Sequence, residues 1–257
     1  GIRAYNYGTG ALSITTTGTT TGGDDGIFAN NKSTGTSLTI NAATTTGGLF
    51  GIFASNNGKG ALSITTTGTT TGTKYDGIYA KIYDDASEGD LTINAATTTG
   101  GRNGIYAKNE GTGALSITTT GTTKGNWGFK EDESNGRTDG DGIFAKNSAA
   151  STGDLTIVTG EFDAEGNLIE AVDTTGGLFG IFASNNGKGA LSITTTGETT
   201  GTDGDGIFAK NYGTDLTINA ATTTGGHYGI EADNNGTGAL SITTTGTTTG
   251  TDGDGIV

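Results

Sequence analysis

The chain of 257 residues has no cysteine, no proline and no methionine, and only one histidine and one tryptophan. Without cysteine there can be no disulfide and no thiolate metal site, although this identifies no compartment. The lone His227 sits in a "GGHYG" turn, so a nucleophile–base–acid triad has no support. Cations are scarce as well. Thirteen Lys and Arg, scattered singly, face 27 Asp and Glu, which leaves a net charge of −14. That balance gives no electrostatic footprint for a phosphate backbone, so nucleic acid is not an expected partner. No apolar run approaches the roughly 18 residues a membrane-spanning helix needs, and direct membrane insertion is not expected. Hydrophobic residues make up just 31%, too few for one compact core.

In their place stands repetition. "GALSITTTGTTTG" occurs at 10–22, 60–72 and 238–250, with near-copies starting at 113 and 189. Low hydrophobicity with high charge ordinarily means disorder. Here, however, Leu, Ile and Thr recur in fixed register, which a disordered tract has no reason to maintain. Each "GI" dipeptide opens a unit, at Gly1, Gly26, Gly51, Gly77, Gly104, Gly142, Gly180, Gly206, Gly229 and Gly255. Nine units result, of 25, 25, 26, 27, 38, 38, 26, 23 and 26 residues. Odd units carry "GALSITTTG" and even ones "LTINAATTTGG" or a relative of it, so a pair of units is the true repeat.

Within a unit, apolar residues alternate with period two, as in "GIFAKN" and "LSIT", which is the pattern of short strands. Thr favours the extended stretches, and glycines at the junctions are expected to supply positive φ for tight corners. One unit cannot bury its apolar face alone, but a stack buries a continuous one. The expected fold is all-β: a right-handed parallel β-helix (β-solenoid) of about nine coils of 23–27 residues, two of them extended to 38. Right-handed winding follows the preference of parallel crossovers. At about 4.8 Å per coil the rod would be on the order of 45 Å long.

The Ile after each opening Gly and the Ala two residues later are expected to form interior ladders. The next alternate position is Asn6, Asn31, Asn56, Asn109, Asn147, Asn185, Asn211 and Asn234, with Ile82 the exception. These read as a structural ladder of amides bonded from coil to coil, on residues that tolerate the left-handed conformation of a corner.

"GIYAKNEGTGALSITTTG" at 104 and "GTDLTINAATTTGGHYGIEADNNGTG" at 213 resemble the Gly/Thr/Asn-rich passenger repeats of bacterial type V autotransporters. The resemblance spans the chain except two insertions. It implies an extracellular rod on, or released from, a Gram-negative outer membrane, commonly for adhesion to a host or neighbouring cell, a matrix protein or a glycan. No leader and no membrane barrel accompany the repeats, and the chain starts and stops at "GI", so residues 1–257 are expected to be one solenoid segment of a longer passenger. End-to-end polymerisation is less favoured, because joining two odd coils breaks the odd/even alternation.

The insertions are 126–137 in coil five and 158–172 in coil six, and they are expected to form a lateral knob. The second alternates apolar and polar residues around "AEGN" and reads as a β-hairpin. Candidate ligand-binding residues there are Trp127, Phe129, Glu131, Asp132, Phe162 and Asp163. An outward aromatic stripe of Phe28, Phe53, Tyr79, Tyr106, Phe144, Phe182 and Phe208 would either stack on sugar rings or self-stack to shield the backbone; rod-to-rod association along it is a further option. The "TDGDG" corners, with Asp139/Asp141, Asp203/Asp205 and Asp252/Asp254, read as solvated turns more than calcium sites. No catalytic residue, metal or cofactor is expected. A glycan-processing β-helix enzyme is the alternative. An ice-binding solenoid is a further one, weakened because Thr39, Asn41 and Ala43 interrupt the outward row of Ser13, Thr15 and Thr17.

Overall fold

The computed structural model describes residues 1–126 and 140–257. Among them all regular structure is strand. Three parallel nine-stranded sheets run the length of the molecule, each coil giving one strand to each sheet. The first sheet is built from segments such as Ile27–Asn31 and Ile105–Asn109, the second from segments such as Leu38–Ala42 and Leu115–Thr119, the third from three-residue segments such as Thr45–Gly47. The architecture is the parallel β-solenoid that the repeat spacing predicts.

Register is perfect at the opening of the coil. Ile27, Ile52, Ile78, Ile105, Ile143, Ile181, Ile207 and Ile230 stack on one another and are fully buried. Ala29 to Ala209 form the next interior row, and paired Leu and Ile rows such as Leu115 and Ile117 face them from the second sheet. Each buried Leu or Ile side chain contributes roughly 1.5–3 kcal/mol of apolar transfer, so the stack supplies to its members what no coil has alone.

The expectation for the glycines is corrected. Among the described residues only Gly160 (φ 148°) and Gly166 (φ 84°) have positive φ, both beside the coil-six hairpin, and no non-glycine residue does. The corners bend without left-handed residues; what they require is closeness. A Cβ on Gly26 would lie 2.6 Å from the carbonyl oxygen of Gly51 and 2.5 Å from Thr45 Cγ2. The opening glycine is fixed because the third strand of its own coil and the backbone of the next coil both press on it.

A second correction concerns coil six. Val158 and Thr159 belong to the solenoid strand Leu155–Thr159, with Thr159 facing inward, so the departure from the coil begins at Gly160 and not at 158. The hairpin pairs Glu161–Phe162 with Leu168–Glu170 in antiparallel sense. The chain rejoins the coil at buried Val172, ahead of the third-sheet strand Thr174–Gly176.

Candidate functional site

The Asn row is a working ladder in two runs. Asn6 Nδ2 donates to Asn31 Oδ1 at 2.8 Å and Asn31 to Asn56 at 2.8 Å; Asn185 donates to Asn211 at 2.9 Å and Asn211 to Asn234 at 3.0 Å. Between the runs stand buried Ile82, Asn109 and Asn147; the amides of the two Asn bond within their own corners and not to each other. These residues lie in extended backbone, so tolerance of the left-handed region is not why they are Asn. The amide staples the corner that follows it: Asn56 Oδ1 accepts the Gly58 N–H while Asn56 Nδ2 donates to the Gly60 carbonyl, and Asn109 does the same with Gly111 and Gly113. After Asn147 the corner runs Ser-Ala-Ala-Ser, no such N–H is presented, and Asn147 Oδ1 is buried without a partner.

The aromatic stripe is a continuous stack of seven rings. Successive centroids from Phe28 to Phe208 are 4.7–5.1 Å apart and successive planes are within 5° of parallel. Ring faces are therefore spent on one another, and at the first end the Arg3 guanidinium stands 4.9 Å from the Phe28 centroid. Sugar rings cannot stack face-on along this stripe; only ring edges look outward. Three more aromatics, missed in the sequence because they occupy the variable corner before "GI", pack against its sides: Phe50 against Phe53 and Tyr79, Tyr75 against Phe50, and Phe179 against Phe182 and Phe208.

The Asp corners are solvated at Asp203, Asp252 and Asp254 but not at the Asp just before "GI" in coils five and seven. Asp76, Asp141 and Asp205 are buried and accept backbone N–H groups of the following coil, from Asn103 (3.1 Å), Phe179 (3.3 Å) and Tyr228 (3.0 Å) respectively. Asp76 also takes the Arg102 guanidinium in both oxygens, at 2.9 and 2.7 Å. Burial by itself would lower the Arg102 pKa, but the Asp76 bonds and charge outweigh it and raise it. Asp203 and Asp252 are exposed, and Asp139 lies outside the described residues. No group of three or more His, Cys, Asp or Glu among the described residues is placed to hold a metal ion. His227 rests its Nδ1 3.6 Å from Asp205, and burial, then the charge of Asp205, raises the pKa of neighbouring Glu231. The approach of Asp205 to His227 and Glu231 was not legible, because Asp205 precedes them by more than twenty residues and meets them only through the stacking of coils.

Of the knob, Trp127, Phe129, Glu131 and Asp132 lie outside the described residues. Phe162, Leu168 and Ile169 of the hairpin are exposed by 38%, 49% and 60%, bordered by Glu161, Asp163, Glu165 and Glu170. Asp163 closes the turn, accepting the N–H groups of Glu165 and Asn167 and the Asn167 amide. Its role in the structure is to shape the loop.

The outward hydroxyls are more regular than the sequence suggests. Thr39 stands between Ser13 and Ser63, so that position bears a hydroxyl from coil to coil, while Asn41 does interrupt Thr15 and Thr65. The third sheet carries a better row, from Thr21 through Thr46, Thr71 and Thr99 to Thr249, broken only by Lys124. Asp173 and Glu198 precede the strands of coils six and seven beside it.

Comparison with protein families, with characterised proteins and with solved structures finds no match to the chain.

Proposed function

We propose that the chain is a non-catalytic extracellular rod of the autotransporter-passenger type, serving as an adhesin or the stalk of one, with the coil-six hairpin as a lateral contact element. The observation that carries this reading is the contrast between the coils and the hairpin. Among the described residues the outward positions of the three sheets repeat largely from coil to coil, which suits a scaffold, whereas the hairpin sets three exposed apolar side chains among four carboxylates on a two-stranded element. Isolated two-stranded hairpins are marginal in water, and exposed apolar side chains on one favour a protein or cell-surface partner.

The test replaces residues 160–173 by the two-residue Ala-Thr corner that coil four carries between Ala95 and Thr98. The rod should stay folded by circular dichroism while adhesion of cells or beads displaying it is lost. Undiminished adhesion by the shortened rod sinks the hairpin's role.

The threonine row of the third sheet favours a second reading, an ice-binding face, since it passes through even and odd coils alike. Lys124 interrupts the array in the middle coils and the carboxylates of Asp173 and Glu198 flank it, which ranks it below the first. Inhibition of ice recrystallisation by the intact chain, lost on Thr46→Lys with Thr71→Lys, tests it.

A further inference from the structure

The outer face of the first sheet is electrostatically unlike the rest of the molecule. Its two outward rows carry five cations, Arg3, Lys81, Lys108, Lys146 and Lys210, against two carboxylates, Glu231 and Asp233, in a chain of net charge −14. Coils four, five and six concentrate this. They read Tyr79-Ala-Lys81, Tyr106-Ala-Lys108 and Phe144-Ala-Lys146, and the three lysines are in direct register on neighbouring strands. Like charges directly opposite one another in a sheet are destabilising, and here one carboxylate, Glu110, serves two of the three ammonium groups, at 2.6 Å from Lys108 and 3.6 Å from Lys81.

The rings add to this field. An aromatic ring has a negative face and a positive edge. In the stack from Phe53 to Phe144 the faces are turned to one another and the edges outward, so a row of ring edges runs beside the lysine row, with polarised C–H groups on Phe53 and Phe144 and hydroxyl-bearing edges on Tyr79 and Tyr106. Both rows repeat once per coil, about every 4.8 Å along the axis.

We propose that this strip binds a linear anionic glycan lying along the rod axis, with its carboxylates or sulfates on Lys81, Lys108 and Lys146 and its hydroxyl oxygens toward the edges of Tyr79, Tyr106 and Phe144. The proposal deepens the adhesin reading by naming a ligand class and rests on it, but its site is not the hairpin, so the two fail separately.

The test measures binding of the intact chain to polygalacturonate, to dextran sulfate and to neutral dextran across a range of salt. At least one polyanion should bind, less tightly as salt rises, and neutral dextran should not; the tighter of the two assigns carboxylate or sulfate. Lys81→Gln with Lys108→Gln and Lys146→Gln should weaken binding about tenfold or more, taking each of the three charge pairs near the middle of the usual range for surface pairs. Lys59→Gln with Lys124→Gln and Lys188→Gln makes the same change in net charge elsewhere and should leave binding within about twofold. The shortened-hairpin rod should bind as the parent does. Failure of both polyanions to bind, an equal loss in the two triple variants, or equally tight binding of duplex DNA each overturns the proposal.

Discussion

The interior of the third sheet holds a row of threonines in which all hydroxyls but those of Thr98, which donates to the Ala96 carbonyl at 3.4 Å, and of the end residue Thr20 are buried without a partner. Thr45, Thr70, Thr123, Thr174, Thr199 and Thr223 are completely buried, and the Oγ1 atom of each is without a partner. Buried hydroxyls left unpaired cost roughly 1–3 kcal/mol each. Thr70→Val keeps the β-branched shape, removes that penalty and adds a methyl group where the hydroxyl was. The added methyl is slightly larger in a tightly packed place, which offsets part of the gain. A net stabilisation of about 1 kcal/mol is expected, or a rise in Tm of about 3 °C for a chain of this size. Thr66 supplies the internal control: it too faces inward, but its Oγ1 accepts the Ala96 N–H at 3.3 Å. Thr66→Val should therefore cost about 0.5 kcal/mol, by removing one of the two acceptors of that N–H while the Thr66 carbonyl at 3.1 Å remains. Urea unfolding of the two variants beside the parent, comparing midpoints at unchanged slope, reads both numbers. If Thr70→Val destabilises as much as Thr66→Val, the third-sheet hydroxyls are bonded and the account of the interior fails.

Three further outcomes follow from the same structure. Ile105→Asp places an uncompensated charge in a fully buried row and should lower stability by several kcal/mol, seen as early loss of the β-sheet circular-dichroism signal; unchanged melting would mean that the inward face is misassigned. Millimolar calcium should leave the melting temperature of the parent and of Asp203→Asn with Asp205→Asn alike unchanged, because Asp205 is already occupied by the Tyr228 N–H; a large calcium-dependent rise in the parent contradicts this. Glu231 has its pKa raised by burial and by Asp205, so its contribution to stability is complete below the ordinary carboxyl value of 4.5 and is lost as pH rises through the folded value. Glu231→Gln should accordingly be more stable than the parent at neutral pH and flatten the pH dependence of melting above that value, whereas an unchanged profile would refute the assignment.

Periodicity made the fold legible because it states a packing rule directly. Ile, Ala and Asn at alternate positions after each glycine can be satisfied together only if the coils stack in register, and that register then fixes every outward row as well. What periodicity does not carry is the distance of approach between coils. Gly26 and its equivalents look like turn residues in a sequence, because a residue without a side chain is the usual answer to positive φ. The structure uses the same absence to let the Gly51 carbonyl and the Thr45 methyl come close. The Asp before "GI" was misread for a related reason: in one dimension it belongs to an acidic, glycine-rich turn, whereas in three it meets the N–H of a residue some 25 positions later, at the same corner of the next coil.

The surface reading divides in the same way. Seven aromatics at one position were plain in the sequence, but whether their faces or their edges meet solvent depends on the coil spacing, and a separation of 4.7–5.1 Å between parallel rings decides it for edges. That one geometric fact converts the stripe from a platform for neutral sugars into a border of ring edges, and it gives the neighbouring lysines a meaning they lack when read singly. Scattered in the sequence at intervals of 27 and 38 residues, Lys81, Lys108 and Lys146 are three isolated cations in an acidic chain; one coil apart on the same sheet, they are a column whose mutual repulsion an anionic ligand would relieve.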